Sequence, residues 1–201
     1  MCAMDERVLE LTLPVYCTFL VGLPTTRDAF NASLALGGRG YAAGVLGGWR
    51  QYDALFMDNL RMLERLARRL DIAVVREADC QALYKAFQNT DRPIVILMSH
   101  TSKDAFEMNG VLLDQRQLLE AVPTSFTGVF DICACEPEKL AKELVASRGD
   151  CLIRFLPGKV DPTVWFLYFQ SLFRILHMAR HSYLSASEEV TLSLVNFGRS
   201  S

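Results

Sequence analysis

What this chain lacks narrows it first. It has no excess of basic residues: 21 Lys and Arg against 23 Asp and Glu leave a net charge of -2, so nucleic acid is not expected as a partner. The first residues lack the build of a secretory signal, because Asp5, Glu6 and Glu10 stand where such a signal carries positive charge. No apolar run is long enough to span a bilayer. The best, Val164 to Met178, is interrupted by Gln170, Ser171, Arg174 and His177, and no membrane partner is expected. The six cysteines, Cys2, Cys17, Cys80, Cys133, Cys135 and Cys151, lack the paired spacing of a disulfide framework. Three of them (Cys17, Cys133 and Cys151) fall in strand-like apolar runs, so a reduced, cytoplasmic protein is expected.

Metal and nucleotide signatures are missing too. Cys133 and Cys135 have no second close pair, and they share a face only if their strand runs on to its last residue. His177 and His181 are four apart on an expected helix, without a third ligand. The glycines at 37, 38, 40, 44, 47 and 48 are followed by no lysine and hydroxyl residue at phosphate-loop spacing, nor do they fit GxGxxG. The long connection holding them, from Thr25 to Gln51, reads as a mobile loop over a site. No metal and no cofactor are expected. With no repeat or low-complexity segment, 201 residues that are 51% hydrophobic suit one domain, 1–201.

What is present centres on residues 93–137. Ile94, Val95, Ile96, Leu97 and Met98 form a β-branched run bounded by Pro93 and by Ser99-His100-Thr101, the pattern of a buried parallel strand. A second run, Phe126 to Cys133, ends in Ala134-Cys135-Glu136-Pro137. Between them, Leu118, Leu119 and Val122 lie on one helical face that Pro123 stops. If the two strands are parallel neighbours, His100 and Cys135 leave the same, carboxyl, edge of a sheet, where active sites gather. A cysteine and a histidine so placed make a nucleophile and base pair.

The rest of the chain reads as scaffold. An edge segment before Pro14 leads into a central strand over 15–23. A helix is expected over 52–70 with its arginines on the solvent side, then a strand over 71–77 and a helix over 79–89 capped by Asp79. Pro137 opens a helix that Gly149 closes, a strand follows over 150–158, and a long apolar helix over 162–184 must be buried on more than one side. A short last strand is expected over 190–195. Five or six strands alternating with helices give an α/β sandwich.

The runs IVILMSH, FEMNGVLLDQRQLLEAV and VFDICACEP resemble the core of the caspase-like cysteine peptidases, which include caspases, gingipains, separase and the bacterial CHAT-domain proteins. In that family a strand ends in His-Gly, a short hairpin and helix follow, and the next strand ends in a small residue and the nucleophilic Cys. Ala134-Cys135-Glu136 looks like the Ala-Cys-Glu of CHAT-domain proteins, the nearest of these. The resemblance covers residues 15–180. It implies a three-layer sandwich with a mainly parallel central sheet of about six strands, and a cytoplasmic endopeptidase in which Cys135 attacks a peptide carbonyl and His100 handles the proton. The backbone N–H groups of Thr101 and Cys135 would hold the oxyanion. A neighbouring imidazolium or the amino end of the helix after Pro137 would help form the thiolate. Arg39 is a candidate to face an acidic substrate side chain; Asp104 or Glu107, a basic one.

Two positions depart from the family pattern: Thr101 stands where glycine is usual, and Pro137 where Thr or Ser is common. They motivate an alternative, a catalytically inactive module in protein–protein interaction. A regulatory subunit or a second copy is expected to dock on helix 162–184 in either case. A third reading is a flavodoxin-like domain binding a small molecule at the sheet edge.

Overall fold

The computed structural model describes residues 16–102, 105–148, 150–156, 158–178 and 181–199. In chain order the elements are β1 (Cys17–Val21), α1 (Arg27–Ala35), α2 (48–69), β2 (Ala73–Val75), α3 (Cys80–Gln88), β3 (Ile94–Met98), β4 (His100–Ser102), β5 (Ala105–Met108), β6 (Val111–Asp114), α4 (Gln115–Ala121), β7 (Val129–Cys133), α5 (Glu138–Ser147), β8 (Leu152–Phe155), α6 (Pro162–Met178) and α7 (Tyr183–Arg199). Five of the strands form a parallel sheet in the order β2-β1-β3-β7-β8, and β4, β5 and β6 form a separate antiparallel sheet. The architecture is α/β, with helices on both faces of the central sheet. Among the described residues no helix is long and apolar enough to cross a membrane.

Strand periodicity sorts the core into two layers. Ile94, Ile96 and Met98 of β3 join an aromatic layer with Phe19, Phe166, Phe169, Phe173 and Tyr183, which α2, α6 and α7 cover. Val95 and Leu97 face the other way, into a second layer of mixed aliphatic and phenylalanine side chains closed by α3, α4 and α5. Both layers are dry: all five residues of β3 are 0% exposed. That is why the run reads as continuously apolar instead of alternating.

Several expectations are corrected. Among the described residues the central sheet has five strands, within the five or six expected, but the tail expected as a strand over 190–195 is part of α7. Tyr183, Ala186 and Val190 are buried on one helical stripe while Leu192 is exposed, so the 3.6-residue period wins over the apparent alternation of Val190, Leu192 and Leu194. The helix expected over 162–184 stops at Met178. The connection from Thr25 to Gln51 is largely built: α1 buries Phe30, Thr26 caps it by accepting from the Ala29 N–H, and two short 3-10 turns follow at Gly37–Arg39 and Tyr41–Gly44. The edge segment before Pro14, and Gly149, lie outside the described residues.

Helix signals fared better. Asp79 caps α3, its carboxylate accepting from the Ala82 N–H at 2.7 Å. Arg68 and Arg69 occupy the last turn of α2. The hairpin between β5 and β6 turns on Asn109 and Gly110, with φ of 53° and 83°. Two successive positive φ values make the tight turn that matches strand twist, and Asn-Gly is the pair that adopts it most readily.

Candidate active site

In the register of the central sheet Met98 lies opposite Cys133 at the carboxyl ends of β3 and β7. His100 and Cys135 each follow two residues later, just past the ends of these strands. The Ser99 N–H donates to the Cys133 carbonyl at 2.9 Å, and the Ser99 hydroxyl donates to the Glu107 carbonyl at 2.6 Å. One serine thus ties β3, β7 and β5 together beside the histidine. The Thr101 hydroxyl donates to the Cys135 carbonyl, joining the histidine segment to the cysteine segment directly. The chain then turns sharply: Glu136 has φ 49°, and its N–H donates to the Gly158 carbonyl at 2.8 Å. A non-glycine residue held in the left-handed region is uncommon and concentrates at functional turns.

His100 and Cys135 line one open cavity of about 840 Å³ at this edge. Its walls come from the 38–46 connection, from α2 through Gln51 to Asn59, and from the segment 159–166 that enters α6. The Tyr41 ring meets the His100 imidazole edge-on, with centroids 5.7 Å apart. Partial burial lowers the imidazole's proton affinity below its ordinary value, which favours the neutral form. Burial also pushes the Cys135 thiol up, and its Sγ donates to the Val160 carbonyl at 3.7 Å, a bond that only the protonated form makes.

The other expected site residues fall elsewhere. Glu107, expected to face a basic substrate group, is 0% exposed; its Oε2 accepts from the Tyr41 N–H at 2.6 Å. Pairing opposite His100 across β4 and β5 turns its carboxylate under the Tyr41 turn, and burial raises its proton affinity, with the groups of Ser33, Tyr41 and Gly110 pulling the other way. It is a strut for the wall of the site. Arg39 is exposed and absent from the cavity wall, although Gly38 and Gly40 on either side line it. Asp104 lies outside the described residues.

Sequence reasoning missed Tyr41, Leu55, Phe56, Val160 and Phe166 on the cavity wall. No motif marks them. It also missed a buried ionic cluster behind the site. Asp131, in the middle of β7 and 0% exposed, accepts from Arg154 on β8 and from the Tyr183 hydroxyl at 2.8 Å. Arg154 donates onward to Tyr168 and, at 3.3 Å, to Thr191. Asp131 and Arg154 are direct cross-strand partners, so an interrupted apolar strand in VFDIC beside LIRF was the available signal.

The crevice between β1 and β3, where the strand order reverses, is where a doubly wound sheet of this order carries a nucleotide-like cofactor. Here the β5–β6 hairpin fills it. The Asn109 N–H donates to the Gly22 carbonyl at 2.5 Å. A Cβ on Gly22 would come within 2.9 Å of the Met108 sulfur and 3.2 Å of the Glu107 carbonyl. The open space has moved one strand along, to the ends of β3 and β7. No protein-family model matches this chain, and no curated protein matches it.

Proposed function

We propose that this chain is a caspase-like cysteine endopeptidase, most similar in kind to bacterial CHAT-domain proteins, acting in the cytoplasm on a protein partner. What supports the reading above all is that His100 and Cys135 line one cavity at the carboxyl edge of a parallel sheet. In the first step the Cys135 sulfur attacks the scissile carbonyl while neutral His100 takes the thiol proton. The carbon–nitrogen bond then breaks, and His100 passes that proton to the departing amine. Water enters with His100 again as base, the carbon–sulfur bond breaks, and thiol and carboxylate are released. The N–H groups of Thr101 and Cys135 are the proposed oxyanion donors.

A partner or ligand is proposed to switch the enzyme on. Most of the apolar circumference of α6 is spent inside the chain, including Trp165, Phe166, Phe169 and Phe173 at 1% exposure or less. Docking on this helix would use Val164, Leu167 and Met178, which stay exposed.

A second reading, an inactive module that holds a polypeptide in the same cavity, is favoured by the Thr101 hydroxyl that pins the Cys135 carbonyl, where the family's glycine would leave it free. A thiol-reactive peptidyl probe separates the two. The peptidase reading expects labelling of Cys135 that vanishes in Cys135→Ala and falls in His100→Ala. Absence of labelling in the presence of co-purified partner proteins selects the module.

A further inference from the structure

The cavity is built for a different side chain from those selected by a buried charge. Its charged lining residues are Lys159 and Asp161, and both have partners in the chain. Lys159 Nζ lies 3.9 Å from Glu136 Oε1 at the exposed rim, and Asp161 Oδ1 accepts from the Thr163 N–H at 2.7 Å, at the start of α6. Selection of an acidic or basic side chain needs an opposite charge held free for it. Glu107 is occupied beneath Tyr41, and Arg39 is off the wall.

Beside polar Gln51, Asn59 and Thr163, much of the remaining wall is apolar. Residues Asp53–Met57 of α2 form a π-helical turn, a local widening found often at functional sites. Two of its residues, Leu55 and Phe56, line the cavity. Phe56 is packed into the core, but Leu55 is 61% exposed, and Leu46, which also lines the cavity, is 85% exposed, more than any other large apolar side chain among the described residues. Val160 lines the same space, and Phe166, packed edge-on to Phe56 with ring centroids 5.0 Å apart, backs it. Large apolar side chains left in water at a concave site mark where a ligand covers them.

Resting on the peptidase reading above, we infer that the Cys135 site accepts a polypeptide with a bulky aliphatic or aromatic side chain on the acyl side of the cleaved bond, seated among Leu46, Leu55 and Val160.

The test uses the full chain and four tripeptidyl chloromethyl ketones differing only in the last residue: Phe, Leu, Asp or Arg. In each, the Cys135 sulfur bonds to the methylene carbon, chloride leaves, and His100 accepts the thiol proton; mass spectrometry follows the adduct. The Phe and Leu reagents are expected to react at least about tenfold faster than the other two, the scale on which an apolar pocket discriminates. Leu55→Glu, at an exposed position, is expected to erase that preference and speed the Arg reagent. A parallel binding assay on Cys135→Ala, with fluorescent peptide amides ending in Phe, Asp or Arg, needs no chemistry. Apolar preference in binding, with no adduct on the native chain even when its co-purified partner proteins are present, overturns the peptidase reading and keeps the apolar seat for a bound polypeptide. Adducts led by Asp or Arg overturn this inference and keep the peptidase. Absence of apolar preference in both assays overturns it outright.

Discussion

Cys133 and Cys135 are two residues apart, and the difference between their surroundings separates the inside of this sheet from its rim. The first is 0% exposed, packed in the aromatic layer with its sulfur 3.9 Å from Asp131 Oδ1. Burial first, then the neighbouring carboxylate, drives its thiol well above the ordinary range. The second is half-buried on the wall of a cavity shared with a histidine. One thiol fills the core; the other faces open space on a wall it shares with an imidazole. Sequence type alone does not distinguish them, because what changes between 133 and 135 is that the strand ends.

That contrast is open to attack in several ways. Under native conditions, alkylation of Cys133 needs the core to open, so it should run at least about a thousandfold slower than that of Cys135, with exposed Cys80 as an internal reference. Comparable rates read by mass spectrometry would erase the distinction. Next in size, Asp131→Ala leaves Arg154 charged and unpaired, and is expected to cost about 3–5 kcal/mol in urea unfolding. Replacing both Asp131 and Arg154 with apolar residues should recover most of that. A loss below about 1 kcal/mol, the scale of a surface pair, would mean the cluster does not hold β7 and β8 to α6 and α7.

At the rim the expected effects are smaller. Because the Cys135 thiol is raised and only the thiolate reacts, its alkylation should climb about tenfold per pH unit beyond the ordinary thiol value of about 8.5. A plateau near pH 6 would reveal a thiolate–imidazolium pair instead. Turnover needs neutral imidazole, and since burial moves the His100 value below 6.5, the acid limb of activity should lie below that pH. Smallest is Thr101→Val, which removes the hydroxyl bond to the Cys135 carbonyl and is expected to lower stability by about 0.5–1.5 kcal/mol. No change in either stability or Cys135 alkylation would show that this tie does not position the cysteine.

Much of the frame could be read from the sequence because its signals are local. Unbroken apolar runs marked β3 and β7 as doubly covered strands, Asp79 and Pro137 marked helix starts, and the carboxyl-edge placement of His100 and Cys135 follows from parallel pairing of neighbours. The misses share a different cause. The antiparallel sheet of β4 to β6 was legible in Asn109-Gly110, but its strands of three or four residues carry little period. Helix α1 is nine residues long with three buried side chains, too few to overcome the glycine-rich context after it. Glu107 was misassigned because proximity to His100 along the chain said nothing about which way β5 faces. The cavity wall is assembled from three distant segments, so no window of sequence contains it.

The most direct measurement is cleavage of an unfolded protein substrate by the native chain, with its partner proteins present, compared with Cys133→Ala, Cys135→Ala and His100→Ala. The account predicts that Cys133→Ala cleaves like the native chain, that Cys135→Ala does not cleave, and that His100→Ala is slower by about 10²–10⁴. Cleavage that survives Cys135→Ala, or depends equally on both cysteines, would contradict it.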